Sequence, residues 1–368
     1  MRSRHKFILM TDTEQNAFCS NTFHADGYLG PGDRSLKLDI DEQSVSAREN
    51  AVALWFEAKE NCRLREEALP TPDHDQVLVR TLFSGISRGT EALIFRGDVP
   101  ESEFERMRGP HMEGAFPFPV KYGYAAVGRV DAGPDELVGR AVFALHPHQD
   151  KFILPADQVT PLPETLPPRR AVLAANMETA LNIVWDAGIQ PGDRVAVFGA
   201  GVVGSLVAYL SSRIVGTDTV LVDRDSTRQD LATDLGLAFC GVDHLGGDFD
   251  VLVNATASAE ALQNAIAHAG VEARIVEASW YGDRPVSLAL GGAFHSRRLS
   301  LISSQVGAIP AGRRARWTYA RRMAKALDLL LDARLERLIS GETGFSKLPA
   351  AYARILAEQN TLCHCIRY

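Results

Sequence analysis

Gly199-Ala200-Gly201-Val202-Val203-Gly204 follows directly on a short apolar run, Arg194 to Phe198, and opens a helical segment, Val202 to Ile214. A strand, a turn with three glycines and a helix in that order admit few arrangements. Gly199 lets the chain turn tightly, Gly201 lets backbone come close to a ligand, and Gly204 lets helix and strand touch. The helix N-terminus then offers free N–H groups and the positive end of its dipole to an anion such as a pyrophosphate. Asp223 lies nineteen residues beyond Gly204, at the end of the next apolar run, where a carboxylate accepts hydrogen bonds from ribose hydroxyls. Together these predict a dinucleotide site formed by Gly199, Gly201, Val202, Val203, Gly204 and Asp223. A carboxylate at 223 repels a 2′-phosphate, so NAD is expected over NADP; Arg224 and Arg228 are the groups that would pair with such a phosphate.

Around this loop short apolar runs alternate with helical stretches. Thr219 to Asp223, Phe249 to Asn254, Ala273 to Glu277 and Leu299 to Ser304 are separated by Ser226 to Gly236 and Ala259 to His268. That alternation predicts an α/β unit with a doubly wound parallel sheet. Before it, short strands divided by Gly and Pro (Ala51 to Phe56, Asp75 to Phe83, Ala125 to Val130, Arg140 to Ala144) predict a mainly β unit, joined through a Pro-rich linker, Thr160 to Arg170. A helix, Ala171 to Ala187, leads into the cofactor unit, a long basic helix spans about Ala311 to Leu331, and Leu362 to Arg367 reads as a last strand. A chain of 368 residues accommodates two such units. Residues 1–48 lack periodicity and read as an extension outside the fold. The expected division is 49–170, 171–309 and 310–368, the last returning to the first unit.

With 46 acids against 39 bases, a net charge of −7, the chain has no global field for nucleic acid or an anionic membrane. Its five cysteines are too few and too sparse to staple a fold this size, which suggests a reducing compartment. With no apolar run long enough to span a bilayer, the expectation is a soluble, cytoplasmic protein acting on a small molecule.

Four stretches carry a resemblance: Ser84-Gly85-Ile86-Ser87-Arg88-Gly89-Thr90-Glu91, Gly123-Tyr124-Ala125-Ala126-Val127-Gly128, Gly139-Arg140-Ala141-Val142-Phe143 and Pro191-Gly192-Asp193-Arg194-Val195. In this order, from about Ala51 to Tyr368, the chain resembles the medium-chain dehydrogenase/reductase superfamily, alcohol-dehydrogenase-like proteins with a GroES-like catalytic domain and a Rossmann domain. The extension has no counterpart there. The Ser84–Glu91 stretch also looks like bacteriochlorophyllide hydroxyethyl dehydrogenases. The resemblance implies an NAD(P)-dependent oxidoreductase and a homo-oligomer, and it puts Arg88 on the cofactor pyrophosphate.

Zinc members of that family carry a cysteine in a Gly-Ile-Cys motif and a His-Glu pair in a Gly-His-Glu motif. Here Ser87 stands at the cysteine, and Tyr124 and Ala125 at the pair. These side chains do not make a zinc site, so a zinc-free member with no metal is expected. An oxygen that changes charge during hydride transfer must then be stabilised by hydrogen-bond donors in a dry pocket. Tyr124 is the first candidate, or else a packed core tyrosine; Ser87 and Thr90 polarise the substrate or merely bond the backbone. Glu178 is an acid/base or substrate anchor, or else a helix-surface residue.

Ligands sit at the ends of strands in such a sheet, which singles out Asn254, Ala255, Ser279 with Trp280 and Tyr281, and Ser304. The resemblance gives their backbone the nicotinamide carboxamide. His146 and His148 read as surface or hydrogen-bonded histidines, with a proton relay the alternative. Cys363-His364-Cys365 reads as an inert strand, and the basic set Arg297, Arg298, Arg313, Arg314, Arg316, Arg321, Arg322 and Lys325 as a solvated face. The expected reaction is hydride transfer between a secondary alcohol or ketone and nicotinamide. A quinone or enoyl reductase, or a dinucleotide-binding protein without turnover, is the alternative.

Overall fold

The structure, a computed structural model, describes residues 49–368; the extension read at 1–48 lies outside the described residues. The chain enters as a hairpin, β1 (Asn50–Ala58) against β2 (Asn61–Ala68), paired antiparallel from Asn50↔Ala68 to Ala58↔Asn61. β1 buries Ala51, Ala53, Leu54 and Phe56 and is legible as apolar sequence. β2 is not, because Arg63, Arg65, Glu66 and Glu67 mask its alternation; Arg65 meets Glu57 across the hairpin at 2.5 Å. β3 (Gln76–Ile86) is the long strand of the second sheet. Then come β4 (Glu113–Gly114) and β5 (Val120–Lys121), which complete the four-stranded sheet β2-β1-β5-β4. β6 (Ala126–Ala132), β7 (Ala141–Ala144), β8 (Lys151–Pro155) and β9 (Val159–Pro161) join the sheet of β3. The expected linker at Thr160 therefore begins inside a strand, β9, paired with β7.

The second unit is the parallel sheet. β10 (Arg194–Phe198), β11 (Asp218–Val222), β12 (Ala238–Cys240), β13 (Phe249–Asn254), β14 (Ala269–Glu277) and β15 (Ser300–Ser303) lie in the order β12-β11-β10-β13-β14-β15. Every pairing is parallel, with helices between strands, so β10 and β13 are buried on both faces and read as continuous apolar runs. The order reverses at β10, and a crevice opens there at the strands' C-terminal ends.

β16 (Ile339–Gly344) and β17 (Cys363–Arg367) return the chain to the first unit: β17 pairs antiparallel with β3, Ile366 opposite Ser84. In β17 the two cysteines point into the core while His364 Nε2 meets Thr343 Oγ1 at 2.8 Å. Burial pushes the Cys365 thiol up to about 12, far from a nucleophilic or metal-binding range. The long basic helix is broken into Ala311–Arg314 and Tyr319–Leu329. Thr318 caps the second piece by accepting from Arg321 N at 3.1 Å, and Trp317 turns in against Trp185 at 4.7 Å between ring centres. Likewise the helix expected over Ala171–Ala187 is two, Pro168–Ala171 and Ala174–Ala187. Among the described residues no helix is long and apolar enough to cross a membrane.

Candidate active site

A cleft of about 2430 Å³ runs along the strand ends. Its first wall is the glycine turn. Gly199 has φ +104°, which a side chain rarely tolerates, and a Cβ on Gly204 would lie 1.9 Å from the Gly199 carbonyl oxygen. Gly201 has open space before it, so its backbone is free to meet a ligand. Asp223 fixes the turn, accepting from Ala200 N at 2.7 Å and from Asp225 N at 2.9 Å. Gly199, Gly201, Val202, Val203, Asp223, Arg224 and Arg228 line the cleft; Gly204 lies behind it as the contact between helix and strand. Arg88 also lines it, its Nη1 donating to the carbonyls of Glu358, Gln359 and Thr361 at 2.8–3.2 Å, and Arg228 Nη2 reaches the same turn at Gln359 O, 2.8 Å.

Of the strand-end residues, Ala255, Ser279 and Ser304 line the cleft. Asn254 does not. It is fully buried, its Nδ2 donating to Glu277 Oε2 at 2.6 Å and to Tyr281 OH at 3.2 Å, while its Oδ1 accepts from Thr256. A buried amide must find partners, and here they lie inside the fold, so Asn254 braces the turn and makes no contact with the cleft.

The second wall carries hydroxyls. Ser87 starts the helix Arg88–Arg96, yet its side chain makes no capping bond; the Glu91 carboxylate takes the Ser87 N–H instead, at 2.7 Å. The Ser87 hydroxyl is thereby left to the cleft, where Asn176 Nδ2 comes within 3.5 Å. Tyr124 joins it: burial pushes its phenol up to about 12, against the opposing pull of hydrogen bonds from Ser87 and Thr90. Behind them sits a polar chain that the sequence did not disclose. Glu91 Oε2 meets His148 Nε2 at 3.0 Å and accepts from Tyr352 OH; His148 Nδ1 meets Ser84 Oγ at 2.8 Å, and Ser84 Oγ meets Tyr368 OH at 3.0 Å. Glu91, His148 and Ser84 are wholly buried. Of the surface and hydrogen-bonded readings of the histidines, burial removes the first and the second fits both, though they part company. His146 stacks on Phe152, ring centres 3.9 Å apart, and burial pushes it down to about 3.

No protein-family model matches the chain. It is 25% identical over 313 residues, 76% of its length and 88% of the relative's, to D-guloside 3-dehydrogenase of Escherichia coli (strain K12). Among solved structures it is similar to an alcohol dehydrogenase of E. coli CFT073 complexed with NADH (TM-score 0.69, 18% identity, covering 87% of this chain and 99% of that one). It is similar also to a protein from Sinorhizobium meliloti 1021 described as a zinc-binding dehydrogenase, bound to NADP (TM-score 0.70, 19% identity, 87% and 100%). The chain shares the fold of these dehydrogenases, a GroES-like β-rich unit with a Rossmann sheet. These relatives lend nothing to the narrower resemblance to bacteriochlorophyllide enzymes or to a zinc-free branch.

A neighbour described as zinc-binding raises the question whether the site suits a metal. Ser87, Tyr124 and Asn176 converge here with Thr90, and alcohol, phenol and amide oxygens are poor zinc ligands beside thiolate and imidazole. The donor set does not fit zinc. Among the described residues no group of three His, Cys, Asp or Glu side chains is placed to hold a metal ion.

The third wall corrects the reading of the basic set. Arg322 is only 2% exposed; its Nε donates to Glu178 Oε1 at 3.0 Å, its Nη1 to Asn182 Oδ1 at 2.6 Å and its Nη2 to Val306 O at 2.7 Å. Arg298, Arg313, Arg314, Arg316, Arg321 and Lys325 stay exposed and Arg297 half-buried, as a solvated face requires. Burial pushes the Glu178 carboxyl up and Arg322 pulls it back, so Glu178 is neither a surface residue nor a free base.

Proposed function

We propose that the chain is a medium-chain dehydrogenase that oxidises a secondary alcohol, or reduces the matching ketone, with NAD as the preferred cofactor and without a catalytic metal. The coarse activity is that of an NAD(P)-dependent dehydrogenase of the alcohol dehydrogenase type. What carries the finer reading is the cluster of Ser87, Thr90 and Tyr124 hydroxyls facing the dinucleotide cleft, with Ser87 and Tyr124 at positions where the family's zinc ligands would stand. Bound NAD supplies the hydride acceptor. The turn Gly199–Gly204 takes its pyrophosphate with Arg88, Asp223 takes the ribose hydroxyls, and Ala255, Ser279 and Ser304 face its far half. Arg224 and Arg228 flank Asp223 but do not displace its charge.

Tyr124 keeps its proton across the working pH range, because burial disfavours the phenolate. In the reducing direction its O–H donates to the carbonyl oxygen and stabilises that oxygen where negative charge develops, while Ser87 and Thr90 orient both partners; in the oxidising direction the hydroxyl proton, freed as the hydride leaves the carbon, passes through the Ser87 and Thr90 hydroxyls to water. Glu178, with one oxygen held by Arg322, anchors a substrate hydroxyl. Relatives named for sugar substrates favour a hydroxyl-rich alcohol. The same proposal divides the fold into a catalytic unit, 49–170 with 310–368, and a cofactor unit, 171–309. It also gives the chain a cytoplasmic location and no nucleic-acid or membrane partner. Copies of the chain would meet along the edge strand β15, where Leu301 is exposed.

The test is turnover of a polyol and sugar-alcohol panel with NAD and with NADP, beside an enone and quinone panel with NADPH, before and after dialysis against a chelator. Alcohol oxidation with NAD that survives chelation is the expected result, with Tyr124→Phe lowering kcat by roughly a hundredfold. Activity lost to the chelator and restored by zinc would overturn the metal-free mechanism.

A further inference from the structure

The sheet that holds the cofactor has two halves. β10, β11 and β12, with Asp223, form the half that takes an adenosine; β13, β14 and β15 form the half left for the nicotinamide mononucleotide. The last residue of β15 and the loop after it, Ser303 to Gly307, line the cleft on that second half. A loop on a cofactor cleft needs something behind it to hold its backbone in one place. Here the support is Arg322, reaching across from the helix Tyr319–Leu329.

Two routes run from its guanidinium to the loop. One is direct: Nη2 donates to the Val306 carbonyl at 2.7 Å. The other passes through the helix Ala174–Ala187. Nη1 donates to Asn182 Oδ1 at 2.6 Å, Asn182 Nδ2 donates to Asp186 Oδ2 at 3.0 Å, and the same Asp186 oxygen accepts from Ser304 Oγ at 2.6 Å. The remaining donor, Nε, holds Glu178 at the cleft's side, 3.0 Å away. Three acceptors on two separate segments are thus fixed by one planar fork. An ammonium cannot reproduce that, since it is a point charge on a flexible stem.

We infer that Arg322 is a positioning residue for the nicotinamide half of the dinucleotide, fixing Val306 directly and Ser304 through Asn182 and Asp186. The inference rests on the cofactor reading proposed above. It predicts a split that a general loss of stability does not produce. Ligands whose nicotinamide reaches the Ser303–Gly307 loop feel Arg322; ligands without a nicotinamide do not.

NADH and ADP-ribose, which lacks the nicotinamide, are the two probes, titrated into the full-length protein by nicotinamide fluorescence and by competition. Arg322→Lys is expected to raise the Kd of NADH about tenfold or more while that of ADP-ribose stays within about twofold. Arg322→Lys leaves buried acceptors unmet and risks misfolding, so the double variant Arg322→Met with Glu178→Gln, which removes both charges of the pair, is measured beside it and is expected to show the same split. Equal weakening of both ligands, or no change in either, overturns the role given to Arg322. Wild-type protein that binds neither ligand overturns the cofactor reading itself, an outcome distinct from the first two.

Discussion

The glycine wall and the hydroxyl wall face one cleft, but they are assembled by opposite routes. The first is backbone from one contiguous stretch, Gly199 to Gly204, steadied by Asp223. The second is side chains: Ser87, Thr90 and Tyr124 at the surface, with Glu91, His148, Ser84, Tyr352 and Tyr368 behind them, drawn from positions 84 to 368. A wall made of backbone fails by steric exclusion. One made of side chains fails when a buried polar group loses its partner.

Gly204→Ala tests the first kind of failure and has the largest expected effect. The new Cβ would sit 1.9 Å from the Gly199 carbonyl oxygen, and that neighbour is backbone with no rotamer to yield. The helix Val202–Ser211 must withdraw from β10 and take its N–H groups with it. Affinity for NADH should fall about a hundredfold or more, with at least about 3 kcal/mol lost from stability. A fluorescence titration and a urea melt check both. NADH binding within a few-fold of wild type would show that the turn does not depend on this contact.

Glu91→Gln tests the second. The carboxylate accepts from Ser87 N–H, Tyr352 OH and the His148 edge, and an amide of the same shape can serve only some of them. Stability should fall by about 2–4 kcal/mol. Turnover should fall with it, because the Ser87 hydroxyl loses the brace that keeps it in the cleft. NADH affinity should stay near wild type, and that contrast with Gly204→Ala is what separates the walls. Urea unfolding, kcat and an NADH titration on one preparation decide it.

The same difference explains how much was legible beforehand. The parallel sheet and its glycine turn were readable because each strand is a contiguous apolar run and the motif is local; β13 was placed to the residue. Ser87 and Tyr124 were found through a resemblance of short motifs, and the structure brings them together at one wall. Glu91 lay in one of those motifs without a role, since its partners His148 and Tyr352 stand 57 and 261 positions away. Arg322 was misread for a related reason: seven other basic residues surround it in sequence, and only the packing of two helices shows that it points inward. Asn254 failed in the opposite direction. It sits at a strand end, where ligands gather, but Glu277 and Tyr281 take up its amide inside the fold.

His146 gives the smallest effect and sharpens the comparison at the rear of the hydroxyl wall. Burial, with Lys121, His111 and His148 adding to it, pushes its imidazole from the ordinary 6.5 down to about 3. Above pH 6.5 the ring is neutral in both folded and unfolded chains, so it costs nothing. Below 6.5 the unfolded chain takes up a proton that the folded chain refuses until about pH 3, and stability declines by about 1.4 kcal/mol for each pH unit in that window. His146→Phe keeps a ring against Phe152 and removes the titration. The variant should match wild type to within about 1.5 kcal/mol at pH 7.5. Relative to that baseline it should gain about 2 kcal/mol at pH 5, read from urea unfolding at the two pH values. A difference between the two proteins that does not change with pH would mean that His146 takes its proton inside the fold. The rear of the hydroxyl wall would then be wetter than the stack on Phe152 implies.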